Sequence, residues 1–150
     1  MPLRLVLGAD SAGVAIKDAV FADLLGDCRV VEAVDIGIDR HDVRVADPSS
    51  RPDIGSVAAR MIRNGQMDRA LLVCGADPAM VTAAKESGLR VLTVCGSASV
   101  DRAGMAQDCR VLVVDPLALD LALVRRLVGE WIGHACRTTV AVPEGGLARD

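Results

Sequence analysis

Five short apolar runs rich in Val and Leu recur along the chain, at Leu3–Gly8, Arg29–Asp35, Arg69–Cys74, Leu89–Cys95 and Arg110–Val114. Each precedes a longer stretch in which Ala, Val, Ile and Leu return at helical spacing: Ala12–Leu25, Asp53–Asn64, Pro78–Ser87, Ala98–Gln107 and Pro116–Ile132. Continuous rather than alternating apolarity predicts strands buried on both faces, as in a parallel sheet covered by helices. Strand and helix alternate strictly, so the expected fold is α/β, a three-layer α/β/α sandwich with a five-stranded parallel, Rossmann-like sheet and right-handed crossovers.

Local punctuation supports these limits. Asp53 follows Pro52 and precedes Ile54, Val57, Ala58, Met61 and Ile62, which makes it a candidate N-cap, and Asn64-Gly65 ends that helix. Pro116 suits the first turn of the last helix, where a missing N–H costs nothing, with Asp115 as its cap. The stretch Asp39–Arg51 has no period and reads as a loop. Residues 1–137 are expected to form one domain, and the tail 138–150 either an added edge segment or a disordered one.

Composition narrows the class. With 150 residues the chain suits a single core. A domain of this size buries roughly 68–70% of the surface its unfolded form exposes, enough to fold without disulfides or a structural metal. One Phe, one Trp and no Tyr leave no stacking platforms for single-stranded nucleic acid, and a net charge of −3 argues against a duplex binder. Asp10 and Lys17 interrupt the first apolar stretch before a signal core is complete, and no apolar run approaches the ~18 residues of a membrane span, so a cytoplasmic protein is expected. Cys28, Cys74, Cys95, Cys109 and Cys136 are odd in number with no CxxC spacing, and read as reduced thiols rather than a disulfide framework or zinc site.

In such a sheet ligands bind where the loops leave the carboxyl ends of the strands. The first of these loops, Gly8-Ala9-Asp10-Ser11-Ala12-Gly13, can bring backbone N–H groups to a helix N-terminus, a natural anion site. It lacks both G-x-G-x-x-G and a P-loop Lys, so neither a dinucleotide nor a nucleoside triphosphate is implied; Asp10 or Ser11 also reads as a plain helix cap. Cys74 closes the third strand ahead of a glycine turn into a helix, which favours a thiolate that serves as base or nucleophile, although a buried Cys commonly only packs. Cys95 holds the equivalent place on the fourth strand. His41 and His134 each read as surface or capping residues as readily as catalysts, and Arg102, Arg125, Arg126 and Arg137 as a solvated face or a phosphate clamp.

Taken in order, these loops resemble the type B ribose-5-phosphate isomerase and galactose-6-phosphate isomerase family, from Leu3 to about Arg137. The resemblance rests on the run Gly8 to Lys17, on Asp35-Ile36-Gly37, Pro52-Asp53, Asp68 to Gly75, Ala83-Ala84 and Gly88-Leu89-Arg90. It implies interconversion of a phosphorylated aldose and ketose through an enediolate, with no metal and no organic cofactor. Cys74 matches the base of many members and Asp10 a substrate-contacting Asp. Ser11 stands where ribose-type members carry His and matches the tetrulose-phosphate isomerases. The resemblance further implies that Gly75, Ala76 and Asp77 line the substrate, that Arg137 with His134 is what is left of the phosphate clamp, and that the site forms between two subunits of a homodimer, or of a hetero-oligomer with a paralogue.

The chain also departs from the family pattern. Where the family continues Thr/Ser-Gly-x-Gly after Cys-Gly, this chain has Ala76-Asp77-Pro78-Ala79; Pro78 removes an N–H donor and Asp77 adds negative charge. Met80 occupies the position of an alternative Glu base. Cys95-Gly96 replace a His-Asp associated with ring opening, Gln107-Asp108 replace an Asn-rich segment, and Ser50-Arg51 replace Asp-Tyr. Two other readings therefore stand beside the isomerase: an inactive family member serving as a small-molecule binding module or partner subunit, and the same pocket turned to proton-transfer or acyl chemistry on an unphosphorylated substrate.

Overall fold

Val and Leu fill both faces of the central strands, and the chain answers by covering both faces with helices. The computed structural model describes residues 2–37, 54–74, 88–96 and 109–141, with side chains through Cys136. The elements are β1 (Leu3–Ala9), α1 (Val14–Leu25), β2 (Val30–Asp35), α2 (Ile54–Arg63), β3 (Arg69–Val73), β4 (Val91–Val94), β5 (Val111–Val114) and α3 (Leu121–Ala141). The helices expected at Pro78–Ser87 and Ala98–Gln107, the loop at Asp39–Arg51 and the cap at Asp53 lie outside the described residues.

All five strands pair in parallel, in the order β2-β1-β3-β5-β4. Alternate residues point to opposite faces. Leu3, Leu5, Leu7 and Ala9, with Leu71, Val73, Leu112 and Val114, pack under α1 and α3, which supply Val20, Leu24, Val124, Leu127, Val128 and Trp131. Val6, Ala70, Leu72, Cys74, Val111 and Val113 pack under α2 through Ile54, Ala58 and Ile62. Each fully buried Leu contributes about 1.5–3 kcal/mol. Helix α2 approaches so closely at its start that a Cβ on Gly8 would lie 2.3 Å from Ile54 Cγ2.

Edges and ends differ from the pattern-based reading. Strand β2 lies at the sheet margin and is only half buried, with Val31 66% exposed. The last helix begins at Leu121, not Pro116. Asp115 accepts the Leu117 N–H at 2.9 Å and holds a separate turn, while Asp120 caps α3 by accepting the Leu123 N–H at 2.9 Å. Pro116 therefore starts a turn that does not propagate. At the other end α3 continues to Ala141, so the first residues of the expected tail are helical rather than an edge segment or disordered. The stop after α2 is as expected: Gly65 adopts φ +79° and donates to Ile62 O.

An arginine stands at the start of every strand. In sheet order they are Arg29, Arg4, Arg69, Arg110 and Arg90. Arg4 pairs with Asp68 at 2.9 Å and Arg29 with Asp27 at 2.7 Å. Arg110 donates to Asp68 O at 2.9 Å and Arg69 to Cys109 O.

Candidate active site

From β1 the chain crosses through α1 to β2 on one side, then returns through α2 to β3 on the other, with the two helices on opposite faces. This reversal makes the carboxyl ends of β1 and β3 the switch point of the sheet, the place where such sheets bind ligands. Ala9 pairs with Val73, so Asp10 and Cys74 leave adjacent strands side by side. Val73 pairs in turn with Val114, and Val114 with Val94. The next residues, Asp10, Cys74, Asp115 and Cys95, thus form a line along this edge.

Contacts lock the first loop against β3. Asp10 N–H donates to Val73 O at 3.3 Å, and Gly13 N–H reaches Asp10 Oδ1 at 3.0 Å. Asp10 therefore ties the turn ahead of α1, while Gly13 is the N-cap residue and Ser11 stays exposed. A Cβ on Gly13 would lie 2.0 Å from Val73 O, which only glycine avoids. The amino end of α1, whose N-cap residue makes no side-chain capping bond, brings the positive end of its dipole to this edge and favours an anion. Cys74 is 1% exposed, grouped with Val6, Leu72 and Val113, and its N–H donates to Val114 O at 3.1 Å.

The structure brings Asp10, Ser11 and Cys74 to one edge. Gly75, Ala76 and Asp77 lie outside the described residues, and of Arg137 only the helical backbone is described. His134 is placed elsewhere. Helix α3 runs back toward the amino edge, where Trp131 Nε1 donates to Cys109 O at 3.1 Å and Cys136 Sγ lies 3.9 Å from Arg29 O. Across the seven residues of β1 that is roughly 20 Å from Asp10 at ~3.3 Å per residue. Cys95, just after β4, is two strands away from Cys74.

One polar pair escaped the sequence reading. Lys17 Nζ lies 2.7 and 2.9 Å from the two carboxylate oxygens of Asp35 and 3.1 Å from Asp18, with its side chain fully buried. Burial acts most strongly on this ammonium and disfavours its charge, yet the hydrogen bonds and charges of Asp35 and Asp18 prevail and raise its pKa. The signal was present: Lys17 interrupts the inward stripe Val14, Val20, Leu24 of α1.

Among the described residues no cluster of His, Cys, Asp or Glu could hold a metal, and no helix is long and apolar enough to cross a membrane. A doubly wound parallel sheet, with a polar loop and a cysteine leaving neighbouring strands at its switch point, defines an α/β protein of the kind that binds small molecules at that edge. The chain belongs to the ribose/galactose isomerase family, whose sequence profile matches residues 5–141.

Among curated proteins it is 37% identical to D-erythrulose-4-phosphate isomerase 2 of Mycolicibacterium smegmatis, over 89% of this chain and 86% of that one. It is 26% identical to ribose-5-P isomerase B of Listeria innocua, over 87% and 84%. Among solved structures, the type B ribose 5-phosphate isomerase of Leishmania infantum superposes with a TM-score of 0.69 at 18% identity, covering 95% of this chain and 97% of that one. The ribose-5-phosphate isomerase B of Clostridium thermocellum gives 0.68 at 24%, covering 92% and 94%. These two structures share the five-stranded parallel architecture.

Proposed function

We propose that this protein is a cytoplasmic sugar-phosphate isomerase that interconverts a four-carbon aldose phosphate and ketose phosphate. The observation that carries the reading is the side-by-side exit of Asp10 and Cys74 from β1 and β3, at an edge that the amino end of α1 makes attractive to phosphate. Cys74, as thiolate, takes a proton from the carbon beside the carbonyl, the freed electron pair forms an enediolate, and the thiol returns the proton to the neighbouring carbon. The remaining hydroxyl proton moves between the two oxygens, so no atom is gained or lost. Asp10 and Ser11 hold substrate hydroxyls.

Ser11 and Cys95-Gly96 support the four-carbon substrate. An aldotetrose whose terminal hydroxyl is esterified cannot close a furanose ring, so its isomerase needs no acid to open one. The 37% identity to the erythrulose-phosphate isomerase of Mycolicibacterium smegmatis points the same way. His134 lies at the far edge of its own sheet, so in this reading it and Arg137 reach the phosphate from a second copy of the chain.

The test is exchange of solvent deuterium into D-erythrulose 4-phosphate, followed by NMR together with appearance of the aldose. Exchange is expected in the wild type and a loss on the order of 100-fold or more in Cys74→Ala; no exchange at high protein concentration overturns the reading. Asp77 and Pro78 favour a second reading, a binding module without turnover. It predicts phosphate-ester binding without exchange, and exchange gained on Asp77→Gly with Pro78→Gly.

A further inference from the structure

We infer that Lys17, clamped on Asp35, is a positioning residue that holds both ends of the Asp10 loop against the carboxyl end of β3. The inference rests on the isomerase reading of this edge, because it assigns Lys17 a part in catalysis without contact to substrate.

Only the ammonium of this pair is buried, the Asp35 side chain being 27% exposed, and taking the Lys17 charge out of water offsets much of the attraction, so an apolar side chain of similar volume commonly serves as well. Leu or Met at position 17 would complete the apolar stripe of Val14, Val20 and Leu24. What the ion pair supplies instead is direction. Both Asp35 oxygens bind Lys17 Nζ, and Oδ1 also accepts the Gly37 N–H at 2.9 Å, so the turn after β2 has one orientation. Gly37 is then wedged between two groups: a Cβ there would lie 2.7 Å from Ala9 N and 3.1 Å from Lys17 Cδ. Ile36 N–H continues the ladder to Leu7 O at 2.8 Å. The exit of β2 is thereby pressed on Gly8 and Ala9, immediately before Asp10.

The same residue grips the other end of the loop. Lys17 N–H donates to Gly13 O at 2.9 Å, and Gly13 in turn binds the Asp10 carboxylate and abuts Val73 O. The side chain of Lys17 fixes where the loop begins and its backbone fixes where the loop ends. The displacement of Asp10 relative to Cys74 is set between them, and near-ångström shifts at such a site carry large rate effects.

Lys17→Met leaves the Asp35 carboxylate unpaired and is expected to lower the melting temperature. The informative variant is Lys17→Met with Asp35→Asn, which removes both charges yet keeps an acceptor for the Gly37 N–H. It is expected to regain most of the lost melting temperature while kcat on D-erythrulose 4-phosphate stays at least tenfold below wild type with KM within threefold. Amide hydrogen exchange of Asp10 and Gly13 should quicken at least tenfold, with Leu72 and Val113 unchanged. A double variant with wild-type kcat, with unaltered exchange at Asp10 and Gly13, or with no recovery of melting temperature would overturn the inference. If the wild type turns over no sugar phosphate, the isomerase reading fails while the exchange measurement, which needs no substrate, still decides the positioning.

Discussion

Gly13 sits so close to Val73 that a Cβ would stand 2.0 Å from the Val73 carbonyl oxygen, with Val73 Cγ1 at 2.8 Å. The oxygen belongs to the backbone of a central strand and cannot swing aside. Gly13→Ala is therefore expected to cost about 3 kcal/mol, the upper part of the usual range for overpacking. At roughly 2–4 °C per kcal/mol for a chain of this size, thermal unfolding should show a fall of ~6–12 °C, with isomerisation reduced in the surviving folded fraction.

Asp10 has two duties that substitution separates. Its Oδ1 accepts the Gly13 N–H at 3.0 Å, a bond that Asn retains and Ala loses. Asp10→Asn should keep wild-type stability and raise KM for the sugar phosphate if the carboxylate binds substrate hydroxyls. Asp10→Ala should lose about 1 kcal/mol in addition, the usual worth of a capping side chain. Chemical denaturation beside steady-state kinetics checks both.

At the amino edge, partial burial raises the pKa of Asp68, but the side-chain and backbone hydrogen bonds of Arg4, with the charges of Arg4 and Arg110, outweigh it and hold the carboxyl below its ordinary 3.8. A carboxylate with a depressed folded pKa stabilises fully above its unfolded value, and the stabilisation is lost as pH falls through the folded one. Asp68→Asn should lower the melting temperature at neutral pH, and the gap to wild type should close in acid well below 3.8. The side chains are 37% and 35% exposed, so added salt should shrink the effect as well.

Helix α3 offers a comparison of two aspartates. Asp120 caps the helix through Leu123 N–H, whereas Asp115 holds only the turn before it. Asp120→Ala is expected to cost about 0.5–2 kcal/mol and to loosen the first turn of α3 in amide exchange. Asp115→Ala should leave that turn protected.

Strand positions were legible because buried parallel strands write themselves as continuous Val and Leu runs, and all five fall inside or within two residues of the expected spans. That Asp10 and Cys74 leave the same edge of the sheet was legible too, since loops follow the carboxyl ends of parallel strands, but the adjacency of β1 and β3 depends on a strand order that alternation alone does not fix. Pro116 misled, because a proline suited to the first turn of a helix equally suits an isolated turn, and only the hydrogen bond from Leu123 tells Asp120 from Asp115. The place of His134 depends on how far α3 runs back along the sheet, a length that periodicity leaves open past Ile132. The burial of Lys17 on Asp35 was not legible because charge on a helix usually means solvent, and Asp35 is 18 residues distant.

The arginines at the strand starts act as stops. Sliding any strand forward by one residue would drag a guanidinium into the apolar layer and turn every side chain to the wrong face. Arg69, Arg110 and Arg90 stand level in the sheet, and Arg4 stands one register position further back. At the far edge Ala9, Val73, Val114 and Val94 finish level with one another. The amino edge is thus a gauge for the opposite one: where each arginine comes to rest decides which residue first clears the sheet, and so which atoms are presented to a sugar.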